Sequence, residues 1–513
     1  MPQHKFITTP IYYTNGAPHI GHAYTTILAD TMKKIEQMKG NKSLLSTGTD
    51  EHGQKNQHSC EKNGKSIGVF LEEQSALFKN LFNRLNIDYD FFVRTSSAGH
   101  KAVVTKILQD LYDRGLIIKK NYEGLYCEGC EQFKKKSDLD ENGLCPDHQV
   151  KPKVISEENY FFRLEPYRQW LKEFIVNNPD WITPHNYVKE VLSMLEEPLE
   201  DLCISRPKSR VWLGIELPFD KNFVTYIWFD ALINYISTLN WGNNENFEEI
   251  WKNSYHLLAK DILKPHCIYW PIMLNAIGIP PVHRCIVHGY WIGEGGIKMS
   301  KSLGNVVDPN EVIDSIGTDA LRFYLLNNMN STGDAPISIN LLFQGYRNLA
   351  NGLGNLQMRV LKIMDKNLKG IIPSDVELSD EDKKLLKDIS DSFKSIYEQD
   401  LSLTMVNELT DQIMNACSSI NGYFSAEEPW VLAKDPSKST RFKQVIKTTL
   451  EALALIATAS YPIMPKISKE ILNSINMPTK NITNDFNLEK LKNEKIKISA
   501  PLFPPLEKKV LEN

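Results

Sequence analysis

Between Lys5 and Gly48 the chain reads as strand, helix, strand, and this unit fixes the kind of sheet the protein can build. Lys5-Phe6-Ile7-Thr8-Thr9 is β-prone and runs through Pro10-Ile11-Tyr12-Tyr13 to the turn pair Asn15-Gly16 and to Pro18, a residue favoured at helix starts. Ile20, Tyr24, Ile27, Leu28, Ile35 and Met38 then recur at three- and four-residue steps, and Gly40 supplies the stop. Ser43-Leu44-Leu45-Ser46-Thr47-Gly48 follows as a second strand that ends in the loop Thr49-Asp50-Glu51-His52-Gly53. Two such strands joined by a helix form a βαβ unit, the building block of a doubly wound parallel sheet.

With 513 residues the chain exceeds what one hydrophobic core organises, so three or four domains are expected. From about Gly115 to Thr225 a cysteine cluster, Gly124, Gly129, Gly143 and several prolines break the βα rhythm, as an inserted module would. The sheet is expected to resume at Tyr226, with Thr225-Tyr226-Ile227-Trp228-Phe229 as a strand, Asp230 to Leu239 as a helix, and Ile286-Val287-His288-Gly289-Tyr290-Trp291 as a further strand. Beyond Asn340 the periodicity turns helical: Leu349, Leu353, Leu356, Val360 and Ile363 share one face, and Phe442 to Ile456 is another periodic run. The prolines of Pro501-Leu502-Phe503-Pro504-Pro505 forbid a continued helix.

Two short segments carry nucleotide chemistry. In His19-Ile20-Gly21-His22 the histidines are three apart and face the same way at a helix N-terminus, whose positive end suits phosphate, and Gly21 lets a purine approach the backbone. Far downstream, Lys298-Met299-Ser300-Lys301-Ser302 lies between Gly293, Gly295, Gly296 and Gly304. Lysines on such a loop can close over a triphosphate, neutralise charge as it builds, and reopen.

Composition narrows the rest. Against 59 Lys and Arg stand 63 Asp and Glu, a net charge of -4 that excludes a generic DNA-coating protein while leaving room for local basic patches. No apolar run approaches the roughly 18 residues of a membrane span, and the first strand begins too early for a targeting peptide, so a cytoplasmic, membrane-free protein is expected. Cys60, Cys203, Cys267, Cys285 and Cys417 are scattered, whereas Cys127-x-x-Cys130 and Cys145-x-x-His148 pair up. Three thiolates and an imidazole are the ligand set of a closed tetrahedral zinc site, structural because no position remains for a reactive water.

The order and separation of the two nucleotide motifs resemble class I aminoacyl-tRNA synthetases. The set Pro10-Ile11-Tyr12-Tyr13, Asn15 to His22, Gly48 to Gly53, Tyr226 to Ala231, Lys260-Asp261-Ile262, His266 with Trp270, and Met299 to Val307 is similar specifically to the methionyl-tRNA synthetases. This resemblance implies an α/β chain: a Rossmann-like doubly wound parallel-sheet catalytic domain with a zinc-knuckle insert, followed by a C-terminal α-helical bundle. The expected boundaries are 1–114 and 226–290 for the two catalytic halves, 115–225 for the insert, 291–345 for the mobile loop and stem-contact region, and 346–513 for the anticodon-binding bundle.

The resemblance also implies roles. His19, His22, Lys298 and Lys301 would be catalytic, with Gly21, Asp261 and Ser300 also on ATP, which enters with magnesium. Asp50 would pair with the substrate α-ammonium, and Ile11, Tyr13, Trp228, Ala231, Leu232, Tyr235, Ile262, His266 and Trp270 would hold the side chain. Aromatic rings suit a polarizable thioether, and Tyr13 and His266 are candidate donors to its sulfur. A one-methylene difference from homocysteine is worth only about 1–3 kcal/mol, so editing is expected. Cys127, Cys130, Cys145 and His148 would hold one zinc. Asn351, Asn355 and Arg359, four apart, with Trp430 as a stacking ring, would read the anticodon of tRNA(Met). A monomer is expected, because no appended oligonucleotide-binding domain follows.

Overall fold

The computed structural model describes residues 2–127, 132–134, 136–146, 149–296, 307–480, 482–486, 491–498 and 500–506. Strand β1 (His4–Tyr13) leads into helix α1 (Ile20–Met38), which returns to strand β2 (Lys42–Asp50); β3 (Phe91–Arg94) lies beyond β2. They belong to a six-stranded, all-parallel sheet in the order β3, β2, β1, Ser254–Ala259, Arg284–His288, Ile182–Thr183. The chain winds one way from β1 and the other way through Ser254–Ala259, so the strand order reverses beside β1. In open α/β sheets ligands bind at the carboxyl ends of the strands at such a switch point.

Local chemistry explains the first unit. His19 caps α1, no acidic residue occupies the first turn, and Gly40 takes φ +81° after the last buried turn. Gly48 is required by a close approach: a Cβ there would lie 2.1 Å from the Val93 carbonyl oxygen across the β2–β3 pair. The β1–β2 register shifts between Thr8 and Ile11 and then sets Tyr13 opposite Asp50.

Two expectations require correction. The run 225–229 is not a strand: pairing with Ser205–Pro207 uses only Phe223–Thr225, and a helix begins at Ile227 (Ile227–Ser237). Its aromatic, β-prone residues are helical because both flanks of the helix are packed into the core, and tertiary burial overrides local preference. The sheet instead continues with Ser254–Ala259, a continuously buried segment of the kind parallel strands favour, which periodicity does not separate from other apolar runs. Residues 117–203 form mainly a four-stranded antiparallel sheet, ordered Gln132–Lys134, Ile117–Cys127, Lys153–Phe162, Leu202–Cys203, yet Ile182–Thr183 crosses back to edge the large sheet.

Beyond Ile339 the described residues are largely helical. Leu349, Leu353, Leu356 and Val360 are fully buried, with Ile363 packed beside them. A π-helical turn at Ala350–Gly354 interrupts the expected regular face. The proline-rich tail folds back: the Tyr346 hydroxyl donates to the Pro504 carbonyl at 2.6 Å, and Phe503 seats where a Cβ on Gly354 would be 2.9 Å from its ring.

Arg322, in Thr318–Asn328, ties these parts together. Its guanidinium donates to Asp30 at 2.7 Å and to the carbonyls of Leu85, Pro462 and Ile463 at 3.1, 2.8 and 2.7 Å, with neither Arg322 nor Asp30 exposed. Burial alone would raise the Asp30 carboxyl; Arg322, Lys34 and the Asp88 amide outweigh it and hold it below the usual carboxylate range. Removing one member of a buried pair strands the other charge. Arg322→Met should therefore cost about 3–5 kcal/mol, read as a lower urea midpoint for loss of near-ultraviolet circular dichroism.

Candidate active site

The carboxyl ends of β1, β2 and Ser254–Ala259 converge with the N-terminus of α1. The Gly21 amide donates to His19 Nδ1 at 3.1 Å, and the His19 amide donates to His22 Nδ1 at the same distance. Each ring thus accepts at Nδ1, which leaves its proton on Nε2, and the rings stack with centroids 3.7 Å apart. Burial first, and the neighbouring His19 second, hold His22 neutral well below the ordinary histidine range. The side chain missing at Gly21 has a local reason as well: a Cβ would stand 3.0 Å from the His19 ring. Two N–H donors beside a helix N-terminus free of acid are an arrangement that suits a phosphate.

Asp50 is buried at the end of β2, and the loop after it is anchored on both sides. Glu51, with no exposed surface, accepts from Arg94 Nε at 2.7 Å and from the Ser75 hydroxyl at 2.6 Å. His52 Nδ1 donates to Asp230 at 2.8 Å, which fastens the Asp50 loop to the helix that carries Trp228, Ala231, Leu232 and Tyr235. The Lys55 ammonium lies 5.1 Å from the Tyr13 ring centroid.

Across from Asp50 the aromatic wall assembles around Tyr235. His266 Nδ1 donates to the Ile262 carbonyl at 2.9 Å, so its Nε2 accepts from the Tyr235 hydroxyl at 2.8 Å. Both ring nitrogens are used, and His266 has no proton left for a thioether, contrary to the sequence expectation. Burial lowers it to about 4. His266 and Trp270 are separated by a π-turn, not one face of an α-helix, yet their rings lie 5.8 and 5.9 Å from that of Tyr235. Trp228 meets His266 edge-on at 6.2 Å, and its buried indole N–H makes no hydrogen bond among the described residues. Tyr13, Trp228 and Ile262 are partly buried against the same core; Ile11 is likewise half-buried, and Asp261 is exposed.

His256 escaped the sequence reading. It stacks on Tyr235 at 4.0 Å, donates from Nδ1 to Thr8 Oγ1 at 2.8 Å and accepts at Nε2 from the Trp270 indole at 3.1 Å, so burial keeps it neutral beneath the wall. The one available signal was its place in an apolar run beside Tyr255.

Lys298, Ser300 and Lys301 lie outside the described residues, as do Cys130 and His148. Cys127 and Cys145 are both fully buried, and Gly143 at φ +71° makes the tight turn before Cys145. Buried thiols with this donor chemistry suit zinc. Among the described residues no group of three or more His, Cys, Asp or Glu gathers into a metal site, two of the four candidate ligands being outside them.

In the helical region Asn351 and Asn355 are exposed, and Arg359 sits 5.1 Å from the Phe424 ring and 5.6 Å from that of Trp430, itself 39% exposed. Arg359 and Trp430, 71 positions apart in sequence, thus form one cationic, aromatic patch.

Residues 5–151 and 142–361 match the family model for class I tRNA synthetases of the M type, and 372–505 match that for the anticodon-binding domain of methionyl tRNA ligase. A methionine–tRNA ligase of Deinococcus radiodurans is 38% identical over 92% of this chain and 70% of its own length; that of Fusobacterium nucleatum is 37% identical over 99% and 80%. The fold superposes on Mycobacterium tuberculosis methionyl-tRNA synthetase bound by methionyl-adenylate with a TM-score of 0.92 at 30% identity, covering 98% of this chain and 100% of that one.

Burial puts a sign on pH dependence. His100, His266 and His288 titrate at about 4 in the folded chain, below the ordinary 6.5, chiefly through desolvation. The unfolded chain therefore binds more protons between those values, so this stability is fully present above pH 6.5 and is lost as the pH falls toward 4. A thermal midpoint that drops between pH 7 and pH 5 is expected; an unchanged one would contradict neutral buried histidines.

Proposed function

This chain belongs to the methionyl-tRNA synthetases of class I, and on that premise we propose how its residues divide the reaction. The chain is a methionine–tRNA ligase. Methionine and ATP, which class I enzymes use with magnesium, give methionyl-adenylate and pyrophosphate; tRNA then takes the methionyl group and AMP leaves.

One juxtaposition carries the assignment of residues: the β1–β2 register pairs Tyr13 with Asp50, beside the helix that carries Trp228 and Tyr235. Asp50 holds the α-ammonium by a charge-assisted bond, which turns the carboxylate toward the corner of His19 and His22. Ile11, Tyr13, Trp228, Ala231, Leu232, Tyr235, Ile262, His266 and Trp270 line the thioether site, with Tyr13 and the Trp228 indole, unbonded among the described residues, as the protons nearest in character to what sulfur accepts. His19 and His22 donate from Nε2 to oxygens of the α-phosphate, and Gly21, Asp261, Ser300, Lys298 and Lys301 complete the ATP site. No protein nucleophile is needed; positioning and charge stabilisation supply the acceleration.

The same reading assigns one structural zinc to Cys127, Cys130, Cys145 and His148 in the insert 115–225, between catalytic halves 1–114 and 226–290. It assigns 291–345 to the loop and stem contact and 346–513 to anticodon reading by Asn351, Asn355, Arg359 and Trp430. A cytoplasmic monomer whose nucleic-acid partner is tRNA(Met), not DNA, completes it. No described helix is long and apolar enough to cross a membrane.

Methionine-dependent pyrophosphate exchange tests the catalytic half. Asp50→Asn should raise KM for methionine at least about ten-fold, the scale of one charge-assisted bond, with KM for ATP nearly unchanged. Lys301→Ala should slow exchange at saturating methionine while methionine binding stays close to wild type; unchanged exchange would refute the loop's role.

Arg359→Ala tests the other half. Charging should fall roughly 5- to 150-fold in kcat/KM for tRNA(Met), the range of a lost base contact of about 1–3 kcal/mol, with exchange unaltered. Equal charging of a tRNA with an altered anticodon by wild-type enzyme would count against the reading.

A further inference from the structure

We propose that Trp212 is a stacking platform for the unpaired 3′ end of the tRNA. The inference rests on reading the Asp50 loop as the methionine site. Trp212 is 41% exposed but firmly seated. Its backbone N–H donates to Gln57 Oε1 at 3.0 Å, and its indole N–H donates to Glu61 Oε1 at 3.3 Å, both on helix α2 (Gln54–Asn63). The next carbonyl, of Leu213, accepts from the Gly53 amide at 2.9 Å. Gly214 holds this segment close to the neighbouring strand Phe223–Thr225, since a Cβ there would lie 2.9 Å from the Val224 side chain. Trp212 is therefore a rigid aromatic surface on the insert, fastened by its edge to the segment that follows Asp50.

The reaction supplies the occupant. The terminal ribose must reach the carbonyl of a methionyl group held at Asp50, so the last nucleotides, which are single-stranded, must lie along the rim of this loop. Unpaired bases are held by aromatic faces, a contact worth roughly 5- to 150-fold in binding per base. Among the described residues the large exposed aromatic side chains are Tyr112, Trp212 and Trp430. Tyr112 already stacks face to face on Phe219 at 3.9 Å, and Trp430 lies beside Arg359 in the helical region. Trp212 alone of the three is joined to the Asp50 loop.

The test pairs Trp212→Ala with Trp212→Phe in the full-length enzyme. Pyrophosphate exchange should stay within about two-fold of wild type in both, because no RNA takes part. Charging of tRNA(Met) should fall about ten-fold or more in kcat/KM for the Ala variant and recover largely with Phe. Transfer RNA carrying 2-aminopurine singly at each of the last three positions should show fluorescence quenching at one of them with wild type and Phe, and not with Ala. Unchanged charging in Trp212→Ala, or identical quenching in all three proteins, overturns the proposal. So does a parallel loss of exchange and charging, which would make Trp212 a prop for the Asp50 loop. Failure of the methionine-site reading shows separately, as an Asp50→Asn enzyme with an unaltered KM for methionine.

Discussion

The buried bond between Asp30 and Arg322 sets the frame in which everything else is held. Asp30 lies midway along α1, a helix buried on almost every side, whose first turn presents His19 and His22 and whose last turn meets the helical region. There the Tyr397 hydroxyl reaches Met38 Sδ at 3.7 Å and Lys39 donates to the Gln399 carbonyl at 2.9 Å. A charge pair so deep is tolerated because both partners are further bonded: three carbonyls accept from Arg322, and Lys34 and the Asp88 amide donate to Asp30. One helix therefore joins the corner of His19 and His22 at its first turn to the helical region at its last.

The candidate site is organised by a different economy, that of neutral donors. His19, His22, His256 and His266 each have ring nitrogens committed to defined roles, and burial removes the alternative charged states of the last three. A pocket for an apolar thioether cannot surround itself with cations without desolvating them, so polar groups under the aromatic wall are linked in pairs: Tyr235 to His266, Trp270 to His256, His256 to Thr8. The buried carboxylates beside it are likewise paired, Glu51 with Arg94 and Asp230 with His52. On the proposed reading, base contacts in the tRNA fall to exposed aromatic faces, Trp212 for one end and Trp430 for the other.

Much of the framework was legible along the chain. Strand β1, helix α1 and strand β2 follow from apolar spacing, Pro18 and Gly40, and fall within a few residues of their expected bounds. The misreadings have physical causes. Residues 227–229 carry β-prone side chains but occupy a helix because both its flanks are covered by core. Ser254–Ala259, the neighbour of β1, is not legible as a strand because a parallel strand buried on both faces has no alternating pattern. That the His266 proton goes to the Ile262 carbonyl, four residues earlier at a π-turn, is invisible in spacing alone.

By itself the sequence determined the parallel βαβ framework, the family, the two nucleotide motifs and the residue types that suit methionine, since each depends on local periodicity or on short motifs whose members act within one turn or one loop. The tertiary structure decided what depends on distance: that Tyr13 faces Asp50 across a shifted register, that His52 reaches Asp230, that His256 supports the aromatic wall, that Arg359 meets Trp430, and that Trp212 stands beside the Asp50 loop. Those pairings join residues from 14 to 178 positions apart. Their formation is settled by which surfaces must leave water together, a condition of the whole fold and of no single segment.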